Sequence, residues 1–418
     1  MRDFLPAEKA RRERVLSVIR DRYRAHGFDE IETPVMEDSS RLHAGLGGDN
    51  EKLAFGVLKR GLSAEDLASA TDPLELADLG LRFDLTVPLT RFYASHRAEL
   101  PSVFRAIQIG SVWRAERPQK GRYRQFVQCD IDVIGDPSLL AETELVIASL
   151  DAFSALGLAV TMRVNDRRIL IGMLEHFGFA AAEHASVLVT LDKLDKVGPD
   201  GVVAELNEHG ATRAAVAALR EFLARPQAGE FNPYGERQIR QALPEGFDPP
   251  AIADLVELGA RLESAVEHGA SGLPLAFDPF LVRGMGYYTG MIFEAVHPSA
   301  GYSLGGGGRY DGMIGRFLGT DVPATGFSIG FERIVDLVSI DDGVEADAVV
   351  LLHDADTDPA RLVALKAELV AQGRRVRLER KTKNLKVLLD HLAVSGYHRF
   401  AHVAEATAAA ELDFRDLA

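Results

Sequence analysis

Two segments between residues 104 and 135 combine apolar residues with an unusual mixture of polar side chains. Arg114 follows the first segment, and Gln128, Asp130 and Asp132 alternate with apolar residues along the second. Carboxylates and amides accept hydrogen bonds from an ammonium group, whereas a guanidinium pairs with carboxylate or phosphate oxygens in a fixed geometry. This mixture favours a ligand that has both an ammonium group and phosphates.

The alternation predicts two strands of an antiparallel sheet, because successive side chains of a strand point to opposite faces. Residues 117–121 contain a proline and a glycine and are predicted to form the connecting loop. The same alternation over residues 81–87 predicts a third strand, with Asp84 and Thr86 on its polar face. The simpler interpretation of all three is a sheet with one solvated face.

The composition excludes several classes of protein. The chain has 418 residues, which is enough for two or three domains. No apolar run reaches the ~18–20 residues of a membrane span, and the charged N-terminus lacks the apolar stretch of a secretory signal. Cys129 is the only cysteine, which excludes an intrachain disulfide and a cysteine-based zinc site. We therefore expect a cytoplasmic protein with no membrane partner and no metal-binding motif.

The net charge of −15 limits how the chain could bind nucleic acid. A protein that binds nucleic acid through its overall field would be basic, so any contact here must use local basic patches. One patch surrounds the loop at 117–121, and the other is 374–386, with seven basic residues in thirteen. For the second patch, a solvated charged surface and an RNA contact are both open.

The pattern along the chain predicts several domains. Residues 6–26 are predicted to form a helix, followed by a strand that Pro34 interrupts. The segment 167–268 is rich in Ala, Leu and Glu with helical periods, whereas 346–418 alternates strands and helices. The predicted division is a core made of 1–166 and 269–340, a helical insertion at 167–268, and an α/β domain at 346–418.

Four motifs resemble those of one family, the histidyl branch of the class II aminoacyl-tRNA synthetases. The segment VWRAERPQKGRYRQFVQCDID resembles motif 2, and LVRGMGYYTG resembles the signature of the histidyl enzymes. GGGGRYDG and then GFSIGFERI, which resembles motif 3, follow in the family's order. The resemblance implies an α+β fold: a class II antiparallel-sheet catalytic domain with a helical insertion, and a small C-terminal α/β domain like the anticodon-binding domain.

The resemblance also implies an activity and its partners. A histidine–tRNA ligase activates L-histidine with ATP and Mg²⁺, forms histidyl-adenylate, and transfers the histidyl group to the 3′ end of tRNA(His). The family implies a homodimer, with Pro34 near the interface. The alternative is the histidine-binding regulatory subunit of ATP phosphoribosyltransferase, a non-catalytic relative that typically lacks the adenylation arginines. This chain retains Arg114, Arg283 and Arg333, which favours the ligase.

The resemblance assigns roles to individual residues. The implied catalytic residues are Arg283, Arg114 and Arg333. The implied histidine-binding residues are Asp84, Leu85, Thr86, Arg114, Gln128, Asp132, Arg283, Tyr287 and Tyr288. The implied ATP-binding residues are Arg114, Glu116, Arg122 and Arg333. The histidyl signature usually has an acidic residue where this chain has Gly286, which predicts weaker support for Arg283.

Overall fold

A computed structural model describes residues 1–43, 52–117, 123–225, 234–270, 272, 274–283, 287–339 and 348–417. The chain divides into two compact units. The first contains Leu16–Val338 with Met1, and the second contains Arg2–Val15 with Ser339–Ala418. Residues 341–345 are acidic and are predicted from the sequence to form a linker, but they lie outside the described residues.

Two sheets form the framework of the first unit. Its strands are β1 (Asp29–Glu30), β2 (Met36–Asp38), β3 (Phe55–Leu58), β4 (Ala77–Leu81), β5 (Phe104–Trp113), β6 (Gln125–Ile134), β7 (Thr161–Asp166), β8 (Leu275–Phe277), β9 (Met291–Val296), β10 (Gly305–Arg309) and β11 (Ala324–Gly330). Eight of them form one sheet in the order β1-β5-β6-β11-β10-β9-β7-β8, and the other three form a small sheet in the order β2-β4-β3. The pairs from β5 across to β7 are all antiparallel. The edge strands β1 and β8 pair parallel to β5 and β7, respectively. This arrangement agrees with the predicted fold class.

Helices accompany these sheets, and the first of them crosses the boundary between the two units. They are α1 (Pro6–Ala25), α2 (Ser39–Leu42), α3 (Ala64–Ser69), α4 (Thr86–His96), α5 (Leu140–Ala155), α6 (Arg167–Phe177), α7 (His184–Leu191), α8 (Leu194–Glu208), α9 (Arg213–Leu223), α10 (Glu236–Gln241), α11 (Ala251–Glu267), α12 (Gly312–Leu318) and α13 (Phe331–Ile334). Helix α5 buries most of its length in the core, where Phe153 meets Phe327 of β11 edge-to-face. The segment 167–268 is helical as predicted, and its independence as a domain stays a prediction.

The predicted strand pair at 104–135 is confirmed. Strands β5 and β6 pair over their full length, with Gln108 opposite Asp130 and Gly110 opposite Gln128. Alternation of apolar and polar residues allows this register, because a shift by one residue would move the polar side chains to the other face.

The predicted strand at 81–87 is wrong. Strand β4 ends at Leu81 and belongs to the small sheet, and helix α4 begins at Thr86. The carboxylate of Asp84 accepts a hydrogen bond from the backbone N–H of Val87, which satisfies an exposed donor of the first helical turn. Proline is also tolerated early in a helix, and Pro88 follows. The alternating apolar residues are buried because the chain enters the core here, rather than because it is a strand.

The second unit has the predicted α/β pattern. Its elements are β12 (Ala348–His353), α14 (Pro359–Ala371), β13 (Arg375–Arg380), α15 (Leu385–Val394), β14 (Arg399–His402) and β15 (Arg415–Asp416). The sheet order is β13-β12-β14-β15, with β12 parallel to both of its neighbours. One apolar cluster includes Leu365 of α14 and another includes Leu392 of α15. Among the described residues, no helix is long and apolar enough to cross a membrane.

Candidate active site

The sheet register gathers polar side chains into one row across the large sheet. Cross-strand pairs link Gln108 of β5 to Asp130, Asp130 to Ser328, and Ser328 to Gly306. The row continues from Gly306 to Glu294 of β9, and from there to Arg163 of β7. The six residues share one face because every pair is directly opposite.

The face of the sheet that carries this row is covered around β5 and β6, so the interpretation as a solvated face is wrong. Gln108 is 2% exposed and Asp130 4%, and on the same face of β6 Gln128 is 8% exposed and Asp132 3%. Buried polar groups require partners, and buried carboxylates require compensating charge. A covered row of acceptors is therefore suited to binding a ligand with donors and positive charge.

The pKa values of Asp130 and Asp132, which lie on the same face of β6, are both raised. Burial raises the pKa of Asp132 to about 7, and the nearby Asp84 adds to the rise. The Tyr310 hydroxyl, which donates to Asp132 Oδ1 at 2.6 Å, opposes it by lowering the pKa. Burial also raises the pKa of Asp130 well above its ordinary value, and the charge of Asp132 raises it further. Three carboxylates thus lie close enough to disfavour one another's ionised forms, and a cation would relieve this repulsion.

Gln128 offers an acceptor to which none of the described residues donates. Its Nε2 donates to Ser328 Oγ at 3.0 Å, which fixes the amide. Its Oε1 is buried and, among the described residues, receives no hydrogen bond. A buried acceptor left unsatisfied costs free energy, so this oxygen is suited to a donor on a ligand.

The segment that was predicted as a strand still delivers its residues to the site. Asp84 and Thr86 are half-buried, and the charge of Asp84 acts on the titration of both Asp132 and Tyr287. Leu85 is 1% exposed, and its carbonyl accepts from Gln108 Nε2 at 3.0 Å. That bond anchors the start of helix α4 to the large sheet.

Two adjacent tyrosines connect the carboxylates to the arginines. The rings of Tyr287 and Tyr288 have centroids 4.4 Å apart, and burial raises the pKa of both hydroxyls. The charges of Asp84, Arg283 and Arg114 all act on the Tyr287 hydroxyl. The structure therefore brings these predicted residues together around one pair of rings.

Arg283 lies against a glycine. Its Nη1 donates to Glu294 Oε1 at 2.5 Å and to Ser303 Oγ at 2.9 Å. A Cβ atom on Gly306 would lie 2.5 Å from Cζ of Arg283, so only glycine admits the guanidinium here. Gly308 similarly leaves room for the ring of Tyr288. The glycine run therefore allows side chains of the site to approach the backbone closely.

The other predicted arginines are anchored to backbone carbonyls. Arg333 Nη1 donates to the carbonyl of Ser303 at 2.7 Å, so Ser303 contacts both Arg333 and Arg283. Arg114 Nε donates to the carbonyl of Phe83 at 2.9 Å, and its guanidinium lies 5.0 Å from the ring centre of Phe126.

Two predicted ATP-binding residues lie at the end of the strand pair. The carbonyl of Glu116 accepts from Arg124 Nε at 3.2 Å, just outside the paired strands. Arg122 lies outside the described residues, as does Gly286, so the predictions for both remain.

Hydrogen bonds from a buried asparagine hold the segment just before Arg283 in place. Asn165, which is fully buried, donates through Nδ2 to the carbonyls of Pro279 and Leu281 at 3.1 and 3.2 Å.

Within the described part of the chain, no group of three or more His, Cys, Asp or Glu side chains could hold a metal ion.

Sequence reasoning missed three residues of the site: Glu294, Ser303 and Tyr310. Alternation had placed Asp130 on the polar face, as the structure confirms, but no role was assigned to it. Tyr310 lies within the motif GGGGRYDG, next to the glycines. Glu294 and Ser303 had no local signal, because their contact with Arg283 depends on how β9 and β10 are arranged.

Comparison with known proteins identifies the family of this chain. A family model described as histidyl-tRNA synthetase matches residues 1–334. A protein of Leifsonia xyli subsp. xyli named histidine–tRNA ligase is 60% identical, and the alignment covers 100% of this chain and 97% of that protein. A protein of Tropheryma whipplei (strain Twist), named "Probable histidine–tRNA ligase", is 43% identical over 96% of this chain and 94% of its own length.

The fold also matches a solved structure. The crystal structure of histidyl-tRNA synthetase from Nostoc sp. PCC 7120 superposes with a TM-score of 0.73 and 25% identity, covering 100% of this chain and 93% of that chain. The family match spans most of the chain and contains every motif of the site. The chain belongs to the histidyl-tRNA synthetase family.

Proposed function

We propose that this chain is an aminoacyl-tRNA ligase that joins L-histidine to the 3′ end of tRNA(His). In the first step ATP and histidine give histidyl-adenylate and diphosphate, and in the second the histidyl group passes to the tRNA. The observation that supports this most strongly is the covered row of carboxylates beside Arg114 and Arg283. An amino acid would satisfy both the carboxylates and the arginines. Its ammonium group would pair with the carboxylates, and its own carboxylate would lie beside a phosphate at the arginines.

The acceptors would bind the two nitrogen-bearing ends of histidine. We assign the ammonium group to Asp84, Thr86 and the unsatisfied Oε1 of Gln128. We assign the imidazole to Asp132, because Tyr310 and Tyr288 surround it with aromatic rings and hydroxyls. A site that hydrogen-bonds a polar side chain rejects analogues that lack it, since its own buried groups would be left unpaired.

The arginines would align the reacting groups. A carboxylate oxygen of histidine attacks the α-phosphorus of ATP, and the bond to the bridging oxygen of diphosphate breaks. Arg283 and Arg114 would hold the carboxylate and the α-phosphate together, which offsets their repulsion and fixes the line of attack. Arg333 and Arg122 would bind the outer phosphates, and Glu116 the adenine. Mg²⁺ arrives with ATP as part of the substrate.

In the second step the terminal hydroxyl of tRNA attacks the carbonyl carbon of the adenylate. An ester forms, and the bond from that carbon to the phosphate oxygen of AMP breaks. The segment 167–268 and the C-terminal domain at 346–418 are the proposed tRNA-binding parts. Contact with RNA is supported by the exposed basic residues of the second patch, which extends from strand β13 to the first turn of α15. They are Arg375, Arg377, Arg380, Lys383 and Lys386.

The small sheet supports a homodimer. Val35 is 43% exposed and Met36 50%, next to Pro34, and Leu58 of the same sheet is 60% exposed. Apolar side chains grouped in this way mark an interaction surface more often than isolated ones do. We propose that a second copy of the chain binds this apolar surface. The proposed location of the dimer is the cytoplasm.

Arg283→Ala distinguishes the ligase from the regulatory alternative. Both proteins would bind histidine, whereas only the ligase needs this guanidinium for adenylation. We expect unmodified protein to charge tRNA(His), and Arg283→Ala to lose charging while it retains the thermal unfolding midpoint. Arg105→Ala, which removes a half-exposed arginine paired with Glu144, is the matched control. Undiminished charging by Arg283→Ala would refute the proposed role, and histidine binding by a protein that never charges tRNA would favour the regulatory subunit.

A further inference from the structure

The hydrogen bonds of Arg283 leave one edge of its guanidinium for a ligand. Both protein contacts, with Glu294 and Ser303, use Nη1. Among the described residues, neither Nε nor Nη2 of Arg283 has a hydrogen-bond partner. Nε and Nη2 together form the edge that binds a carboxylate or phosphate through two parallel bonds. The side chain is 29% exposed, so this edge can be reached.

Glu294 is the more rigid of the two partners. It lies in the middle of β9, directly opposite Gly306 on one side and Arg163 on the other. Arg163 Nη1 is 3.9 Å from Glu294 Oε2, so the two oxygens of one carboxylate face two different arginines. The side chain of Glu294 is only 17% exposed and lies between two guanidinium groups, so its carboxylate has little freedom to rotate.

Arg163 is fixed in turn by other carboxylates. Its Nη1 is 3.6 Å from Asp278 Oδ2 and 3.4 Å from Asp195 Oδ2. Asp278 lies in the turn before Arg283, and its Oδ1 accepts from the backbone N–H of Phe280 at 3.0 Å. The Arg163–Glu294–Arg283 chain is therefore tied to the same turn that presents Arg283.

We infer that Glu294 is the positioning residue of Arg283, an inference that rests on the proposed function. Glu294 holds Nη1 against Gly306 before substrate arrives, which aims the Nε–Nη2 edge at the histidine carboxylate and the α-phosphate. Groups held in advance stabilise a transition state without the free-energy cost of reorganising.

A second carboxylate, Asp192, determines what happens to Arg283 when the charge of Glu294 is removed. Asp192 is close enough to Arg283 for that arginine to lower its pKa, against the rise that burial causes. Without the charge of Glu294, Arg283 is drawn toward Asp192 and away from its aligned direction. The loss is therefore one of alignment, which reduces kcat, rather than one of substrate contacts, which would raise KM.

Glu294→Gln tests this inference, because it keeps the shape of the side chain and removes its charge. We expect kcat for histidine-dependent ATP–diphosphate exchange to fall roughly 10- to 100-fold, the effect of a small misalignment, with KM for ATP nearly unchanged. Glu144→Gln is the matched control, because Glu144 likewise pairs with a partly buried arginine, Arg105, from which it accepts two hydrogen bonds. It should retain wild-type kcat, and thermal unfolding of both variants should be measured in parallel.

A double-mutant cycle separates positioning from a merely structural role. If Glu294 acts through Arg283, then adding Glu294→Gln to Arg283→Lys should lower kcat by less than threefold beyond Arg283→Lys alone. Full additivity, or wild-type kcat in the single variant Glu294→Gln, would overturn the inference. Failure of the unmodified protein to exchange would instead overturn the proposed function.

Discussion

Replacing Asp132 by asparagine should separate the stability of the protein from its activity. Burial raises the pKa of this carboxyl from 3.8 to about 7, which corresponds to roughly 4 kcal/mol. The folded state therefore binds the proton more tightly than the unfolded state does. The stability that this proton contributes is full below about pH 4 and is lost as the pH rises to about 7.

Asparagine does not titrate, so the variant escapes that loss. It keeps an oxygen that accepts from the Tyr310 hydroxyl, and it has nearly the same volume. We expect the unfolding midpoint of Asp132→Asn to exceed that of the wild type by more at pH 8 than at pH 5. Asp78→Asn, on an exposed residue, is the control and should show no such pH-dependent difference.

The same variant should lose activity. Removing the charge of an acceptor weakens a hydrogen bond of about 1.5–3 kcal/mol, which corresponds to a loss of roughly 10- to 150-fold in kcat/KM for histidine. The measurements are thermal unfolding at the two pH values and ATP–diphosphate exchange over a range of histidine concentrations. Equal pH dependence of unfolding in variant and wild type, or undiminished kcat/KM, would refute the account of Asp132.

Three further predictions test other parts of the structure. Gly306→Ala places a methyl group against the Arg283 guanidinium, so kcat for exchange should fall roughly 100-fold; Gly301→Ala, which meets no atom within 4 Å, should leave kcat unchanged. Tyr310→Phe removes the hydroxyl that lowers the pKa of Asp132, so the acidic limb of the pH profile of kcat/KM for histidine should move to higher pH, and an unmoved limb would contradict this. Met36→Asp places a charge on the exposed small sheet, so sedimentation equilibrium should detect monomers, and an intact dimer would exclude that surface as the interface.

The strand pair at the centre of the site could be predicted because its signal is local. Apolar and polar residues alternate along β6, and the observed register with β5 keeps the polar ones on one face. What the pattern could not give is whether that face is solvated. Burial of Asp132 involves a residue that follows more than 150 residues later, Tyr310, which donates to its carboxylate.

The segment 81–87 failed for the opposite reason. A two-residue alternation also arises where a buried loop enters a helix, and here Phe83 and Leu85 are buried on either side of Asp84 without strand pairing. The sequence signal of a helix start was Asp84 followed closely by Pro88. In the structure the Asp84 carboxylate accepts a hydrogen bond from the Val87 N–H. Glu294 and Ser303 were beyond sequence reasoning, because their contact with Arg283 exists only once β9 and β10 pair.

We propose that the covered carboxylates and the arginines form one site that activates histidine. The decisive measurement is histidine-dependent exchange of labelled diphosphate into ATP, with each of the other standard amino acids as a control. We expect exchange with histidine alone, and its abolition in Arg283→Ala. Exchange that is absent with histidine, or equally fast with amino acids that lack the imidazole, would contradict it.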